Sequence, residues 1–194
     1  MVLGLNFLKF QRREADPRVR VVYDRLVAQA RSPSFYADFG VADTLTGRFD
    51  MIVLHCFLYF YRIKGEDETV RTFGQEVFDT FIADMDHSLR ELGVGYQAVP
   101  KRMKKMGEAF YGRTQAYDAA VEDGEPSTLE DAIARNLFPD DETASDPALV
   151  SGLARYVRTS LDLLEGKSTV DLLNGAFDFP QPSAFLPSAA GDGA

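Results

Sequence analysis

Residues 51–61 read MIVLHCFLYFY, and His55 is the only strongly polar side chain among them. A helix that is hydrophobic on every side is normally covered on every side, so this run predicts a central core helix over about 49–63. A membrane span needs about 20 apolar residues, and this run is too short for one. The stretch therefore predicts the middle of a soluble helical protein.

The sequence on both sides of this run also has helical periodicity, with apolar residues at steps of three and four. Caps at Asp16 and Asp146, a C-terminal glycine at Gly93 and several prolines predict further helices. They cover 17–31, 70–92, from 100 onward, 127–138 and 147–165, with a short turn after 168. Ser127 and Glu130 have the spacing of a capping box, and 34–48 is predicted as a loop with at most one short turn. Neither strand alternation nor an internal repeat is present. The expected fold class is all-α: a single compact helical domain of about six or seven helices with a disordered C-terminal tail.

Composition divides the chain into three segments. Residues 1–15 are apolar and basic but lack the basic n-region and the cleavage site of a secretory signal. Residues 16–177 carry the helical pattern, and 178–194 are rich in Pro, Ala, Ser and Gly, which predicts a disordered tail. Cys56 is the only cysteine, so we expect neither an internal disulfide nor a Cys-based zinc site. These features favour a cytoplasmic protein.

A basic cluster stands out in a chain whose net charge is -9. The stretch VPKRMKKMGEAFYGR, residues 99–113, contains Lys101, Arg102, Lys104 and Lys105 within five positions. An acidic chain is not typical of a nucleic-acid-binding domain, so the cluster favours a protein partner or an anionic lipid surface. The alternative is a solvated helix face paired with acids such as those of the 122–146 stretch, which could also fold over the cluster as a lid.

Two groups of residues invite a chemical interpretation. Asp84, His87 and Glu91 share one helix face, but a di-iron site needs two such motifs and two further carboxylates in one core. His55 and Cys56 are adjacent, and neighbours on a helix do not face each other, so we expect both in the core. A metal-binding helical enzyme remains a weaker alternative. We expect no enzymatic activity, no cofactor and no bound metal.

Five stretches of the sequence together resemble the ubiquinol–cytochrome c chaperone family. They are PSFYADFGVADTLTGRFDMIVLH at 33–55, DMDHSLRELGVG at 84–95, VPKRMKKMGEAFYGR at 99–113, AYD at 116–118 and AIARNLF at 132–138. The similarity runs from about residue 16 to about residue 165. The short chain, without an evident transit peptide, resembles the bacterial branch. Tyr96 departs from the family pattern, in which the residue after GVG is commonly acidic.

The resemblance implies a non-enzymatic assembly factor that binds newly made cytochrome b, or an early assembly intermediate, of the ubiquinol–cytochrome c reductase (complex III). Contact with the ribosome, with a small partner protein or with the inner face of the membrane is also implied. The alternative is a generic helical adaptor with another client. The basic face and the apolar residues beside it form the predicted partner-binding site: Lys101, Arg102, Lys104, Lys105, Met106, Phe110, Tyr111 and Arg113.

Overall fold

The computed structural model describes residues 16–139 and 146–187, and the predicted N-terminal segment 1–15 lies outside these ranges. Six helices have 12 or more residues: α1 Pro17–Ala30, α3 Leu45–Ile63, α4 Glu68–Glu91, α5 Val99–Asp123, α6 Pro126–Leu137 and α7 Pro147–Glu165. Two short helices, α2 Pro33–Ala37 and α8 Thr169–Leu173, and a 3₁₀ helix at Pro182–Phe185 complete the described chain. The described residues contain no strand, which confirms the all-α prediction.

Helix α3 is the centre of the fold, as the apolar run predicts. It packs against α1, α4, α5, α6 and α7, and every residue from 51 to 60 is buried. Burying each large apolar side chain stabilises the fold by about 1.5–3 kcal/mol relative to leaving it exposed. The helix begins at Leu45, earlier than predicted, because the hydroxyl of Thr44 accepts a hydrogen bond from the backbone N–H of Gly47. The preceding loop lies so close to this helix that a side chain at Gly47 would collide with the carbonyl oxygen of Ala42.

Several helix ends lie where sequence signals place them. Asp16 accepts a hydrogen bond from the backbone N–H of Arg18 at the start of α1, and Asp146 accepts one from Ala148 at the start of α7. Gly93 follows the end of α4 with φ of 76°, a left-handed conformation that glycine adopts without strain. The caps predicted at these three ends are confirmed.

Two helix starts differ from the prediction. Helix α6 begins at Pro126 with Glu125 as its N-cap, so Ser127 lies inside the first turn and the predicted capping box is wrong. The proline fixes a helical φ ahead of the serine, which moves the start towards the N-terminus. Helix α4 is capped by Asp67, whose side chain accepts hydrogen bonds from Thr69 and Val70. The sequence predicts this helix only from Val70, so the prediction omits the cap and the first two helical residues.

Residues 178–187 are ordered, so the prediction of a disordered tail from residue 178 is wrong over this range. Phe179 is buried next to Phe177, and a guanidinium nitrogen of Arg25 donates a hydrogen bond to the carbonyl oxygen of Phe177 (2.7 Å). The 3₁₀ helix packs on α7 at Gly152, where a side chain would collide with the arriving backbone. A few buried aromatic residues therefore order a segment of otherwise low complexity. Residues 188–194 lie outside the described residues.

A buried hydrogen-bond network joins α1, α3 and α7. Nδ1 of His55 lies 2.8 Å from the carbonyl oxygen of Met51, so this nitrogen must carry the proton and donate. Nε2 then accepts from the hydroxyl of Tyr156 (2.7 Å), which itself accepts from the amide of Gln29 (3.1 Å). Both His55 and Cys56 are fully buried, which confirms that the pair belongs to the core.

This network predicts a measurable pH dependence of stability. Burial lowers the pKa of His55 to about 4, whereas an unfolded histidine titrates near about 6.5. Between these values the unfolded chain binds a proton that the native protein does not. The free energy of unfolding therefore decreases by about 3 kcal/mol as the pH falls across this window. We expect His55→Gln to reduce stability at neutral pH and to flatten its pH dependence.

Urea unfolding of both proteins at about pH 7 and about pH 5 checks this prediction. Burial raises the pKa of Asp50 to about 6. Protonation of Asp50 therefore stabilises the native protein as the pH falls, which is the opposite of the effect of His55. Since both proteins contain Asp50, its contribution cancels in the comparison. An equal loss of stability between the two pH values in both proteins would contradict the assignment of the pH dependence to His55.

Candidate partner-binding site

The predicted basic cluster lies on the exposed side of the first two turns of α5. The helix begins at Val99, with Pro100 in the first turn, and Lys101, Arg102, Lys104 and Lys105 are all exposed. The only ion pair that these four form with described residues joins Lys104 to Glu108 at 3.8 Å on the same exposed face. Such an exposed pair contributes little, so the described part of the chain leaves nearly all of this positive charge without a counter-charge.

The acidic stretch 122–146 does not cover this cluster in its described part. Glu122 pairs with Lys64 at 3.0 Å, and Asp123 accepts a hydrogen bond from Thr128. Both acids lie at the far end of α5, about 30 Å from Lys101 at about 1.5 Å rise per residue. Residues 140–145 lie outside the described residues.

Phe110 is a core residue, so its predicted place on the contact surface is wrong. Its side chain is 1% exposed and packs against the rings of Phe78 and Phe81, with centroids 5.0 and 5.3 Å away. At 100° per residue, Phe110 shares the inward side of α5 with Val99 and Tyr117, both buried. Its role is to hold α5 against α4. Met106 and Tyr111 are partly exposed, so a partner could reach them, and their predicted role in partner binding stays a prediction.

Arg113 is mostly buried and paired, which corrects its predicted place on the free positive face. Its Nε lies 2.9 Å from Oδ1 of Asp50 on α3, and its guanidinium lies over the ring of Phe49 at 5.6 Å. The N–H is not aligned with that oxygen, so the contact is an ion pair rather than a hydrogen bond. Burial raises the pKa of Asp50 to about 6, and Arg113 opposes that rise. At neutral pH, Asp50 is therefore mainly ionised and balances the charge of Arg113.

An open pocket of about 230 Å³ lies beside the basic cluster, where the start of α3 and the end of α4 meet α5. Apolar side chains form most of its wall, and cations stand around it. The lining residues are Leu45, Thr46, Phe49, Leu89, Arg102, Lys105, Met106, Ala109 and Arg113. The structure thus brings four of the predicted residues together around one pocket, whereas Lys101, Lys104, Phe110 and Tyr111 do not line it.

Exposed apolar side chains continue from this pocket around the turn between α4 and α5. Leu92 is 63% exposed one turn beyond Leu89, and Tyr96 is 80% exposed with the guanidinium of Arg90 over its ring at 5.5 Å. Large apolar groups at such exposure beside a charged patch commonly mark a contact surface. Tyr96, which departs from the family pattern, therefore adds an aromatic group to this end of the molecule.

The residues considered for metal binding have other partners. Asp84 accepts a hydrogen bond from the hydroxyl of Tyr23 (2.8 Å), and His87 lies 3.0 Å from a carboxylate oxygen of Glu91 on the exposed side of α4. Across 16–139 and 146–187, no three His, Cys, Asp or Glu residues are grouped so that they could hold a metal ion. In these same ranges no helix combines the length and the apolar character that crossing a bilayer requires.

Fold and site together define an all-helical protein with a cation-rimmed apolar pocket. The chain belongs to the ubiquinol–cytochrome c chaperone family: the family described as Ubiquinol-cytochrome C chaperone matches residues 37–179. This confirms the resemblance seen in the sequence, although the match begins and ends later than 16–165.

Two curated eukaryotic proteins are similar to the chain. Ubiquinol-cytochrome c reductase complex assembly factor 1 of Mus musculus is 24% identical over 152 residues, which cover 78% of this chain and 50% of the mouse protein. Protein CBP3, mitochondrial, of Saccharomyces cerevisiae is 28% identical over 153 residues, 76% of this chain and 44% of the yeast protein. The chain therefore spans about half the length of these curated relatives.

A bacterial structure is more similar. The crystal structure of the Cbp3 homolog from Brucella abortus is 41% identical in sequence and superimposes with a TM-score of 0.78. The match covers 87% of this chain and 92% of that one. These values place the chain in the bacterial branch of the family, as the sequence predicts.

Proposed function

We propose that this protein is a non-enzymatic assembly chaperone that binds newly made cytochrome b and promotes assembly of the ubiquinol–cytochrome c reductase. The observation that carries the proposal is the apolar pocket beside an exposed basic cluster, in a chain of this family. The mouse relative is named an assembly factor of that same complex, which supports the process proposed here.

The chemistry of the site suits a temporary hold on a membrane protein. A newly made membrane segment exposes apolar side chains that its final partners have not yet covered. The pocket offers one of these side chains an apolar surface to pack against. The thioether of Met106 adapts its shape to different apolar groups. The lysines act as mobile point charges on flexible stems, which attract an anion without fixing its geometry. The cations around the pocket would attract acidic groups of the client. Binding of this kind needs no nucleophile, which is consistent with a non-enzymatic role.

We place this activity in the cytoplasm, at the inner face of the membrane. Each Lys or Arg near an anionic bilayer contributes about 1 kcal/mol, so the four exposed basic residues act together. The exposed side chains of Leu92 and Tyr96 lie at the same end of the molecule and would enter the interface. The same charges would serve contact with ribosomal RNA or with a small partner protein. An early complex III intermediate is the further partner proposed.

Membrane contact through this end predicts a specific vesicle-binding result. We expect the protein to co-sediment with vesicles containing phosphatidylglycerol but not with vesicles of phosphatidylcholine alone. Replacing both Leu92 and Tyr96 with serine should weaken this binding about tenfold or more, because two exposed apolar groups no longer enter the interface. The control is Val170→Ser, since Val170 is 65% exposed and lies on α8. Equal weakening in the control would contradict the assignment.

The client is tested by affinity capture of the tagged protein from detergent-solubilised membranes of its own host, with mass spectrometry of the bound proteins. We expect cytochrome b without the mature subunits of complex III. A reproducible partner unrelated to complex III would contradict the proposal and would favour the generic helical adaptor.

A further inference from the structure

We propose that the pocket receives one large apolar side chain of the client, from a segment in which acidic residues flank that side chain. This inference rests on the proposed function and specifies the chemistry of the contacted segment. Three properties of the pocket carry it: its size, the distribution of charge around it and the small residue in its wall.

The size of the pocket matches a single side chain. Its volume is about 230 Å³. Pockets for whole small-molecule ligands are larger, at roughly 300–1,000 Å³. One leucine, methionine or phenylalanine side chain fits, in the manner of the buried anchors that dominate protein interfaces.

The charge around the pocket selects what accompanies that side chain. Arg102 and Lys105 are three positions apart on α5 and therefore project on the same side of the helix. Both are exposed, and neither pairs with a carboxylate of the described residues, whereas Arg113 is already neutralised by Asp50. Carboxylates beside the anchoring side chain would meet two free cations. Basic residues at those positions would be repelled, which excludes many other apolar segments.

The small side chain of Ala109 leaves room for the pocket. It lies in the wall between Met106 and Arg113, where its methyl group leaves the space open. A phenylalanine at this position would occupy much of that space while every surrounding charge stayed in place. The substitution therefore separates insertion of a side chain from attraction by charge.

The first test compares capture of cytochrome b by the wild-type protein, by Ala109→Phe and by Ala119→Phe. Ala119 lies on the same helix but is exposed and remote from the pocket, so it is the matched control. We expect Ala109→Phe to lose about tenfold or more of the captured cytochrome b and Ala119→Phe to lose none. Thermal unfolding confirms that each variant is folded. Undiminished capture by folded Ala109→Phe would overturn the inference while leaving the proposed function intact.

The second test does not depend on the folding of a pocket variant. A photo-reactive benzoylphenylalanine replaces Glu108, which is exposed next to Ala109 and does not line the pocket. The full-length protein is irradiated during capture, and the cross-linked peptide is sequenced. We expect a peptide of cytochrome b with a large apolar residue flanked by Asp or Glu. A peptide without acidic residues, a lipid adduct or no cross-link despite successful capture would each overturn the inference. Failure of the wild-type protein to capture cytochrome b would instead overturn the proposed function.

Discussion

Replacing Lys101, Arg102, Lys104 and Lys105 together with glutamate is expected to abolish capture of cytochrome b and to leave the fold intact. All four side chains are exposed, and their single ion pair with described residues is the long one to Glu108. Their loss therefore costs little stability. Facing an anionic partner, four cations at about 1 kcal/mol each give about 4 kcal/mol, which corresponds to about a thousandfold in affinity. Reversing the charges adds repulsion to that loss.

Capture from solubilised membranes measures this effect, and circular dichroism measures the helix content of the variant. The matched control reverses four other exposed arginines, Arg20, Arg31, Arg71 and Arg135, which changes the net charge of the protein by the same amount. We expect the control to keep most of its capture. An equal loss in both variants would show that net charge alone governs binding, and it would contradict a specific role for the cluster.

Arg113→Met is expected to destabilise the protein by about 3–5 kcal/mol at neutral pH. The substitution leaves the carboxylate of Asp50 buried without its counter-charge, and an uncompensated buried charge is costly. The pKa of Asp50, already raised to about 6 by burial, should rise further in this variant. Its native state then takes up a proton at a higher pH than that of the wild type. The difference in free energy of unfolding between wild type and Arg113→Met should therefore narrow as the pH falls towards 6. Below pH 6 it should stay constant.

Urea unfolding of wild type, Arg113→Met, Asp50→Asn and the double variant at about pH 8 and about pH 5 tests this prediction. Because the two side chains form one pair, we expect the double variant to be more stable than the sum of the single losses implies. Additive losses, or a loss that is the same at both pH values, would contradict the pairing.

The sequence predicts the helices well because periodicity and capping are local properties. Asp16, Asp146 and Gly93 are signals that can be read from adjacent residues, and the structure confirms them. The exposure of the basic cluster is predictable for the same reason, since its four basic residues share one face of α5, with no apolar residue between them on that face to bury. The start of α6 differs from the prediction because two local signals, Pro126 and Ser127, compete there.

The parts of the site that the sequence misses depend on contacts between distant residues. Asp50 and Arg113 are far apart in the chain, so nothing local indicates that they pair. Leu45, Phe49 and Leu89 come from two other helices, and their place in the pocket follows only from packing against α5. The prediction for Phe110 is wrong because an aromatic residue next to a basic cluster looks the same in sequence whether it faces a partner or the core. One cue was available for Asp50: a lone acid directly before the apolar run needs a buried partner.

The most direct test of the account follows newly made cytochrome b through time. Host cells that carry the tagged protein are labelled with a short pulse of radioactive methionine, chased with unlabelled methionine, and sampled by capture at intervals. The account predicts labelled cytochrome b on the protein just after the pulse and its loss during the chase, as the label appears in assembled complex III. Cytochrome b that stays bound throughout the chase, or that arrives only together with mature subunits of the complex, would contradict a chaperone role.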